Sequence, residues 1–173
     1  MEVLIAMGIA TAVGGLLLAV IVNSTGLFYN QSSKVEQGLN INDALLQIRQ
    51  NIKQSAGIDS TSTSEQLVLK ISSLDESGNI IDDTFDKFVF SKDQNILRFK
   101  TYPDATSARL AQDQIFSTSL DNLKFQYFDS ANPPNEVTLA SATKVRITLT
   151  LRQKSGSSYE TQTATSEASL RND

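Results

Sequence analysis

The sequence predicts an α+β fold in which one long N-terminal helix packs on an antiparallel β-sheet. Three observations predict this fold. An almost uninterrupted apolar run occupies residues 3–22, a helical apolar period follows over residues 41–52, and a two-residue period takes over after residue 66. A helix with one apolar face and a sheet with one apolar face each need a cover, and here each can cover the other.

The composition excludes several classes of function. The chain has 173 residues and a net charge of −4, and its Lys and Arg residues are scattered, so no nucleic-acid partner is evident. It contains no His and no Cys, which removes the commonest general base and the commonest metal ligand. The sequence has no Gly-x-Ser-x-Gly elbow and no Gly-rich phosphate loop either. We therefore expect no enzyme, no catalytic or cofactor-binding residue and no metal site.

The apolar run has the length of a membrane span. Between Val3 and Val22, Thr11 is the only side chain with a polar atom besides the thioether of Met7. As a helix this run would be about 30 Å long, which matches the hydrocarbon core of a bilayer. A cleaved secretory signal would carry a basic segment before the run, whereas the first positive side chain here is Lys34. Residues 1–25 are therefore predicted to form a hydrophobic transmembrane helix, with Glu2 at its start.

Small residues recur inside this helix at four-residue spacing. One set is Ala6, Ala10 and Gly14, and the other is Gly8 and Ala12. Such spacing lets neighbouring helices approach closely in an apolar medium. The alternative is that Gly and Ala are simply common in membrane helices. The pair Gly14-Gly15 is also a weak point at which the helix could bend or unwind.

Residues 26–56 are predicted to form an amphipathic continuation of the same helix. Ile41, Leu45, Ile48 and Ile52 fall on one helical face, and Gly57 is a plausible stop. Residues 57–173 are predicted to form a β-rich head that begins with a polar link over residues 59–66. Its alternating segments predict the strands and a hairpin at "KDQ": "QLVLKIS", "FDKFVFS", "NILRFKT", "NLKFQYFD", "KVRITLTLR" and, after a "KSGSS" turn, "YETQTATSEASLR".

One acidic cluster and one aromatic set are possible sites. Asp82, Asp83 and Asp86 lie in "DDTFD", which lacks the spacing of a calcium-binding loop, so a solvated turn is expected and calcium binding stays open. The phenylalanines of the head are expected in its core rather than on a stacking surface: Phe85, Phe88, Phe90, Phe99, Phe125 and Phe128.

The N-terminal stretch "MEVLIAMGI" resembles the N-terminus of type IV pilins and pseudopilins. Precursors of that family carry a short basic leader ending in Gly, then Phe-Thr-Leu-Ile-Glu or Phe-Ser-Leu-Met-Glu and a hydrophobic helix. Glu2 matches the family's glutamate. No leader, processing Gly or Phe precedes Met1, so we expect that the true start lies upstream; the other possibility is a mature chain that begins at Met1. The resemblance is closest over residues 1–25 and weaker beyond residue 56.

The resemblance implies a pilin-like fold, in which a transmembrane half and an amphipathic half of one helix pack on the sheet. It implies a structural subunit of a type IV filament, either a minor pilin or a pseudopilin of a pilus, a type II secretion system or a DNA-uptake system. Glu2 would be an assembly residue that pairs with the N-terminal ammonium of a neighbouring subunit, and Gly8, Gly14 and Gly15 would serve helix packing and flexibility. The implied partners are other pilin or pseudopilin subunits, membrane lipid before assembly, and a prepilin peptidase acting on the precursor.

The implied location is the cytoplasmic membrane, crossed once with the head outside, and a periplasmic or extracellular filament. The alternative function is a single-pass, membrane-anchored binding domain outside the cytoplasm that does not polymerise. Glu2 would then lie at the membrane interface, solvated by headgroups. An upstream reading frame that encodes a basic leader ending in Gly-Phe would favour the filament over the anchor.

Overall fold

The computed structural model describes residues 2–155 and 158–170. Within these ranges it also describes the side chains, except those of residues 4, 5, 9, 10, 12, 23, 25–40 and 153–155. One helix is followed by eight strands in the described residues. A short 3-10 helix, Leu139–Ser141, precedes the last two strands. In order, the elements are α1 (Glu2–Gln54), β1 (Gly57–Ile58), β2 (Gln66–Leu74), β3 (Ile80–Asp93), β4 (Ile96–Tyr102), β5 (Gln112–Ser117), β6 (Leu120–Phe128), β7 (Lys144–Ser155) and β8 (Ser158–Ser169).

The strands form two antiparallel sheets, one with the order β1-β2-β3-β4-β5 and one with the order β6-β7-β8. Each strand pairs with its neighbour in sequence, so hairpins build both sheets. The β3–β4 hairpin forms at the predicted "KDQ", where Gln94 adopts a φ of 56° in the turn. Backbone hydrogen bonds connect β6 to two loops of the five-stranded sheet, from Leu120 N to Asn95 O in the β3–β4 turn at 2.8 Å and from Phe125 N to Ser64 O before β2 at 2.7 Å.

The C-terminal part of α1 fills the space between the two sheets, where it contacts β2, β5, β7 and β8. The predicted helix face is confirmed, because the four isoleucine and leucine side chains on it are buried together with Ala44: Ile41, Leu45, Ile48 and Ile52. The helix ends at Gln54, before the predicted stop at Gly57. Ser55 ends it, since its backbone N–H and its hydroxyl both donate to Ile52 O, at 3.2 and 2.7 Å.

The predicted alternation of the strands is confirmed in the core. Every second side chain is buried along β2, β6 and β7: Leu67, Leu69 and Ile71; Leu123, Phe125 and Tyr127; Val145, Ile147, Leu149 and Leu151. Val68, on the other face of β2, is buried as well. Strand β5 was not predicted, and Phe85, expected in the core, is exposed. Part of the predicted "KSGSS" turn lies outside the described residues.

The predicted fold class, a pilin-like α+β fold with a transmembrane half and an amphipathic half packed on one antiparallel sheet, is wrong. The described chain is mostly antiparallel β-structure, and its strands form two sheets rather than one. In the described part of the chain, the structure contains no helix with both the length and the apolar character that a membrane span requires. Among the side chains of α1 that the structure describes, the buried ones lie within residues 41–52. The predicted boundaries at residues 25 and 56 stay predictions, and the side chains of residues 25–40 lie outside the described ones.

A candidate assembly surface and a buried carboxylate

The first six turns of α1 carry large apolar side chains that are at least half exposed. Their exposed fractions lie between 50% and 72%: Val3, Met7, Val13, Leu16, Leu17, Leu18, Val20, Ile21 and Val22. Successive helical residues point about 100° apart, so the run from Leu16 to Val22 exposes apolar side chains in every direction around the helix axis. We call these nine side chains the N-terminal apolar surface.

Thr11 is the one hydroxyl in this part of the helix, and the helix itself satisfies it. Its Oγ1 donates to Met7 O at 2.7 Å and lies 3.0 Å from Gly8 O. A hydroxyl that is bonded inside its own helix costs little when the helix enters an apolar environment. Thr11 therefore does not oppose burial of the N-terminal apolar surface.

Glu2 lies in the first turn of α1, and its side chain is exposed. A carboxylate in this position is favoured by the partial positive charge at a helix N-terminus. The structure gives Glu2 no ion-pair partner within residues 2–155 and 158–170. The predicted pairing with another subunit stays a prediction.

The predicted packing glycines Gly8, Gly14 and Gly15 lie in the unbroken helix, and a Cβ added at any of them would meet nothing within 4 Å. No close contact within the described residues therefore requires glycine at these positions. The side chains of Ala10 and Ala12, which complete the two predicted small-residue sets, lie outside the described residues.

Asp86 is the centre of a buried polar cluster that the sequence did not predict. Asp86 was expected in a solvated turn with Asp82 and Asp83, but it lies in β3 and is fully buried. Its Oδ1 accepts hydrogen bonds from the Ser73 hydroxyl and the Asp104 backbone N–H, both at 2.9 Å. Its Oδ2 accepts from the Ser107 hydroxyl at 3.0 Å and from Arg109 Nη1 at 2.9 Å. Four donors therefore compensate the loss of water around this carboxylate.

The other two members of the acidic cluster remain outside. Asp82 and Asp83 are exposed, and Asp83 adopts a φ of 56° where the pairing of β2 with β3 shifts between Ser72 and Leu74. This irregularity separates Asp83 from Asp86 on the strand. Within the described residues no group of three acidic side chains is placed to hold a metal ion.

A second buried carboxylate lies at the start of the predicted polar link. Asp59 Oδ1 accepts hydrogen bonds from the backbone N–H and the hydroxyl of Thr61, at 3.0 and 2.7 Å, and Oδ2 lies 3.2 Å from Lys87 Nζ. The Thr61 hydrogen bonds and then Lys87 lower the pKa of Asp59 from 3.8 to about 2, against the opposing effect of burial. Residues 59–66 are therefore an ordered connection rather than a loose link.

The chain matches no family model, no curated protein and no solved structure.

Proposed function

We propose that the chain is a structural subunit of a type IV filament, either a minor pilin or a pseudopilin of a pilus, a type II secretion system or a DNA-uptake system. One observation carries this proposal: the N-terminal apolar surface is exposed on all sides of α1. Isolated large apolar side chains on a protein surface are ordinary, but a continuous band around a helix needs a partner. The resemblance of "MEVLIAMGI" to the pilin N-terminus supplies the kind of partner, which is the same helix of other subunits.

The apolar surface is large enough to make its exposure to water costly. Relative to water, cover of the exposed parts of nine large apolar side chains contributes on the order of 10 kcal/mol, whether lipid or other helices supply the cover. The band has no charged residue between Glu2 and Lys34, so helices can pack there without burying an unpaired charge. Lipid contact before assembly, prepilin peptidase as a processing partner and the membrane and filament locations stay predictions within this proposal.

The role that we propose is structural rather than catalytic. The chain offers no His and no Cys, and the side chains around its buried carboxylate are hydrogen-bonded within the fold. Asp86 therefore has the surroundings of a residue that fixes a loop. The two sheets and the C-terminal part of α1 would form the exposed head of the subunit.

The test compares two exposed leucines of the same helix. Leu17 belongs to the N-terminal apolar surface, whereas Leu46 lies on the solvent side of the turns that pack on the sheets, and both are more than half exposed. Each is changed to Asp in the native host. Filaments are sheared from the cells, and the subunit is then quantified in the sheared and membrane fractions.

We expect Leu17→Asp to be absent from sheared filaments, because it places a charge in the apolar bundle, and Leu46→Asp to be incorporated normally. Recovery of Leu17→Asp in filaments at the wild-type ratio would contradict the proposal. A wild-type chain found only in membranes, with none in sheared filaments, would instead support the anchored, non-polymerising binding domain.

A further inference from the structure

A cleft of about 320 Å³ opens beside the C-terminal turns of α1, at the connection from β4 to β5. Its volume is at the lower end of the range for small-molecule sites in proteins. It lies on the head, apart from the N-terminal apolar surface, and no part of the proposed filament function uses it. The residues that line it are Asn51, Phe88, Phe99, Thr101, Arg109, Leu110 and Gln112.

Arg109 reaches this cleft with half of its guanidinium already fixed. Nη1 donates to Ser72 O at 3.0 Å and to Asp86 Oδ2 at 2.9 Å, and the guanidinium carbon lies 5.5 Å from the centre of the Phe88 ring. Nε and Nη2 have no acceptor among the residues that the structure describes, and the side chain is 25% exposed. This free Nε–Nη2 edge is one that a carboxylate can bind with two parallel hydrogen bonds.

Two further polar groups of the lining, a hydroxyl and an amide, can donate, whereas Asn51 adds one acceptor, since its Nδ2 donates to Gln47 O at 2.9 Å and leaves Oδ1 to accept. Thr101 is buried, yet its hydroxyl has no hydrogen-bond partner within the described ranges. Gln112 accepts a long 3.4 Å contact from Gln114 through Oε1, which leaves its Nε2 available as a donor. The nearby carboxylate of Asp86 is already held by four donors and is fully buried. The cleft therefore offers donors, and its ligand should supply acceptors.

Apolar side chains supply the rest of the lining. Phe88 and Phe99 pack edge to face with their ring centres 5.2 Å apart, and Leu110 at the rim is 80% exposed. A ligand with a short apolar body would cover part of Leu110 while its polar end meets Arg109. Covering such a side chain is favourable in water, whereas a purely polar ion would leave it exposed.

We propose that this cleft binds the carboxylate of a small ligand that carries a short apolar body. The carboxylate oxygens accept hydrogen bonds from Nε and Nη2 of Arg109, with the Thr101 hydroxyl and the Gln112 amide as further donors. The apolar body lies against Phe88 and Leu110. Because Asp86 fixes the guanidinium from behind, little side-chain freedom is lost on binding.

The test uses three probes of the same shape: 3-methylbutanoate, its primary amide 3-methylbutanamide, and the corresponding amine 3-methylbutylamine. Each is titrated into the full-length ¹⁵N-labelled chain in non-ionic detergent, and backbone amide shifts are followed by NMR. We expect saturable shifts at Thr101, Arg109, Leu110 and Gln112 with the carboxylate. We expect the amide to bind at least about tenfold more weakly and the amine not to bind at this cleft.

Three variants connect the binding to these residues. Arg109→Lys should weaken carboxylate binding at least about tenfold, because an ammonium cannot form the bidentate contact. Gln112→Ala and Thr101→Val leave the Asp86–Arg109 pair in place. Each should weaken carboxylate binding by a smaller factor than Arg109→Lys does. Arg98→Lys is the control: Arg98 lies in β4 and pairs with Asp93 and Asp113, away from the residues that line the cleft, so this variant should bind as the wild type does.

The absence of saturable shifts with 3-methylbutanoate would overturn the proposal. Equal affinity for carboxylate and amide would overturn it too, because the charge would then not be recognised. If Arg109→Lys no longer shows the native NMR spectrum, carboxylate binding by Gln112→Ala and Thr101→Val becomes the test. Unchanged affinity in both variants would show that the cleft is not the binding site.

Discussion

Asp86 and Arg109 form an ion pair across the fold, with Oδ2 and Nη1 2.9 Å apart, in which Asp86 is fully buried and Arg109 is partly exposed. Asp86 belongs to the middle of β3, whereas Arg109 lies in the connection between β4 and β5. The same carboxylate also binds Ser107 and the backbone of Asp104. One buried carboxylate therefore fixes the whole connection against the sheet.

We predict that Asp86→Ala destabilises the protein by about 3 kcal/mol, because it removes four hydrogen bonds and leaves buried donors unpaired. The measurement is the free energy of unfolding by urea. The control is Asp113→Ala, which removes a carboxylate paired with Arg98 and Lys100 at the surface and should cost about 1 kcal/mol or less. Equal losses in the two variants would mean that burial of Asp86 contributes nothing.

The sequence predicted the parts of this fold that depend on local periodicity. The helical period over residues 41–52 and the two-residue period in β2, β6 and β7 mark side chains that are in fact buried. These patterns are reliable because a buried face repeats with the geometry of its own helix or strand. The arrangement of the strands in two sheets, and the edge strand β5 with its exposed side chains, left no comparable pattern.

The buried polar clusters were not predictable in the same way. Asp86 receives its donors from residues 73, 104, 107 and 109, which lie 13 to 23 positions away in the sequence. The stretch "DDTFD" is polar by composition, so it reads as a surface turn until those partners are known. The serines and threonines of residues 59–66 predicted a polar link but not its contacts, such as the hydrogen bonds that Ser62 exchanges with the backbone of Val68.

Ile48→Asp should cost several kcal/mol, because Ile48 is fully buried between α1 and the sheets. Thermal unfolding followed by circular dichroism gives the measurement. Leu46→Asp is the matched control, since it places the same charge two residues away on an exposed position of the same helix. A similar melting temperature for Ile48→Asp and the wild type would show that the wrong face was assigned to the core.

Stability should decrease in acid through Asp59. Its pKa in the folded protein is about 2, below the ordinary 3.8, so the ionised form stabilises the fold above pH 4. As the pH falls from about 4 to about 2, this contribution is lost, and we expect about 1 kcal/mol after allowance for solvent screening. Urea unfolding across this range measures it.

The comparison that isolates this carboxylate is Asp59→Asn against Asp82→Asn. The first should remove part of the acid-dependent loss, because the variant has no group to protonate at that position. The second changes an exposed carboxylate of β3 that has no described ion-pair partner. Identical pH profiles for Asp59→Asn and the wild type would contradict the assignment.

Replacement of Gly14 and Gly15 by alanine should stiffen α1 without disturbing the fold. An added Cβ meets nothing within 4 Å at either position, and each Gly-to-Ala change in a helix is favourable by about 1 kcal/mol. If local unwinding at this pair accompanies filament assembly, filaments of the double variant should yield at a different force. Pulling single filaments by optical trap measures this force, and identical behaviour would remove that role from the pair.

The most specific prediction for the proposed function concerns Glu2. Glu2→Leu replaces the only charged side chain before Lys34 by an apolar one, in a gene that retains its natural upstream sequence. Membrane insertion should be unchanged or improved, because an ionisable group at a helix end costs less than the roughly 2.5–3.5 kcal/mol of a central one. If the upstream sequence encodes a leader and a Gly-Phe junction, processing by a prepilin peptidase should survive, since the substitution leaves both unchanged.

Incorporation into filaments is the step that should fail. In an apolar bundle the carboxylate of Glu2 would neutralise the terminal ammonium of a neighbouring subunit, and its loss leaves that ammonium unpaired and the helix register without a polar specifier. The measurement is the ratio of the subunit in sheared filaments to that in membranes. Glu2→Asp serves as the control and should retain part of the incorporation, because it keeps the charge on a shorter side chain. If Glu2→Leu enters filaments at the wild-type ratio, Glu2 is not an assembly residue, and a position at the membrane interface solvated by headgroups becomes the better account of this glutamate.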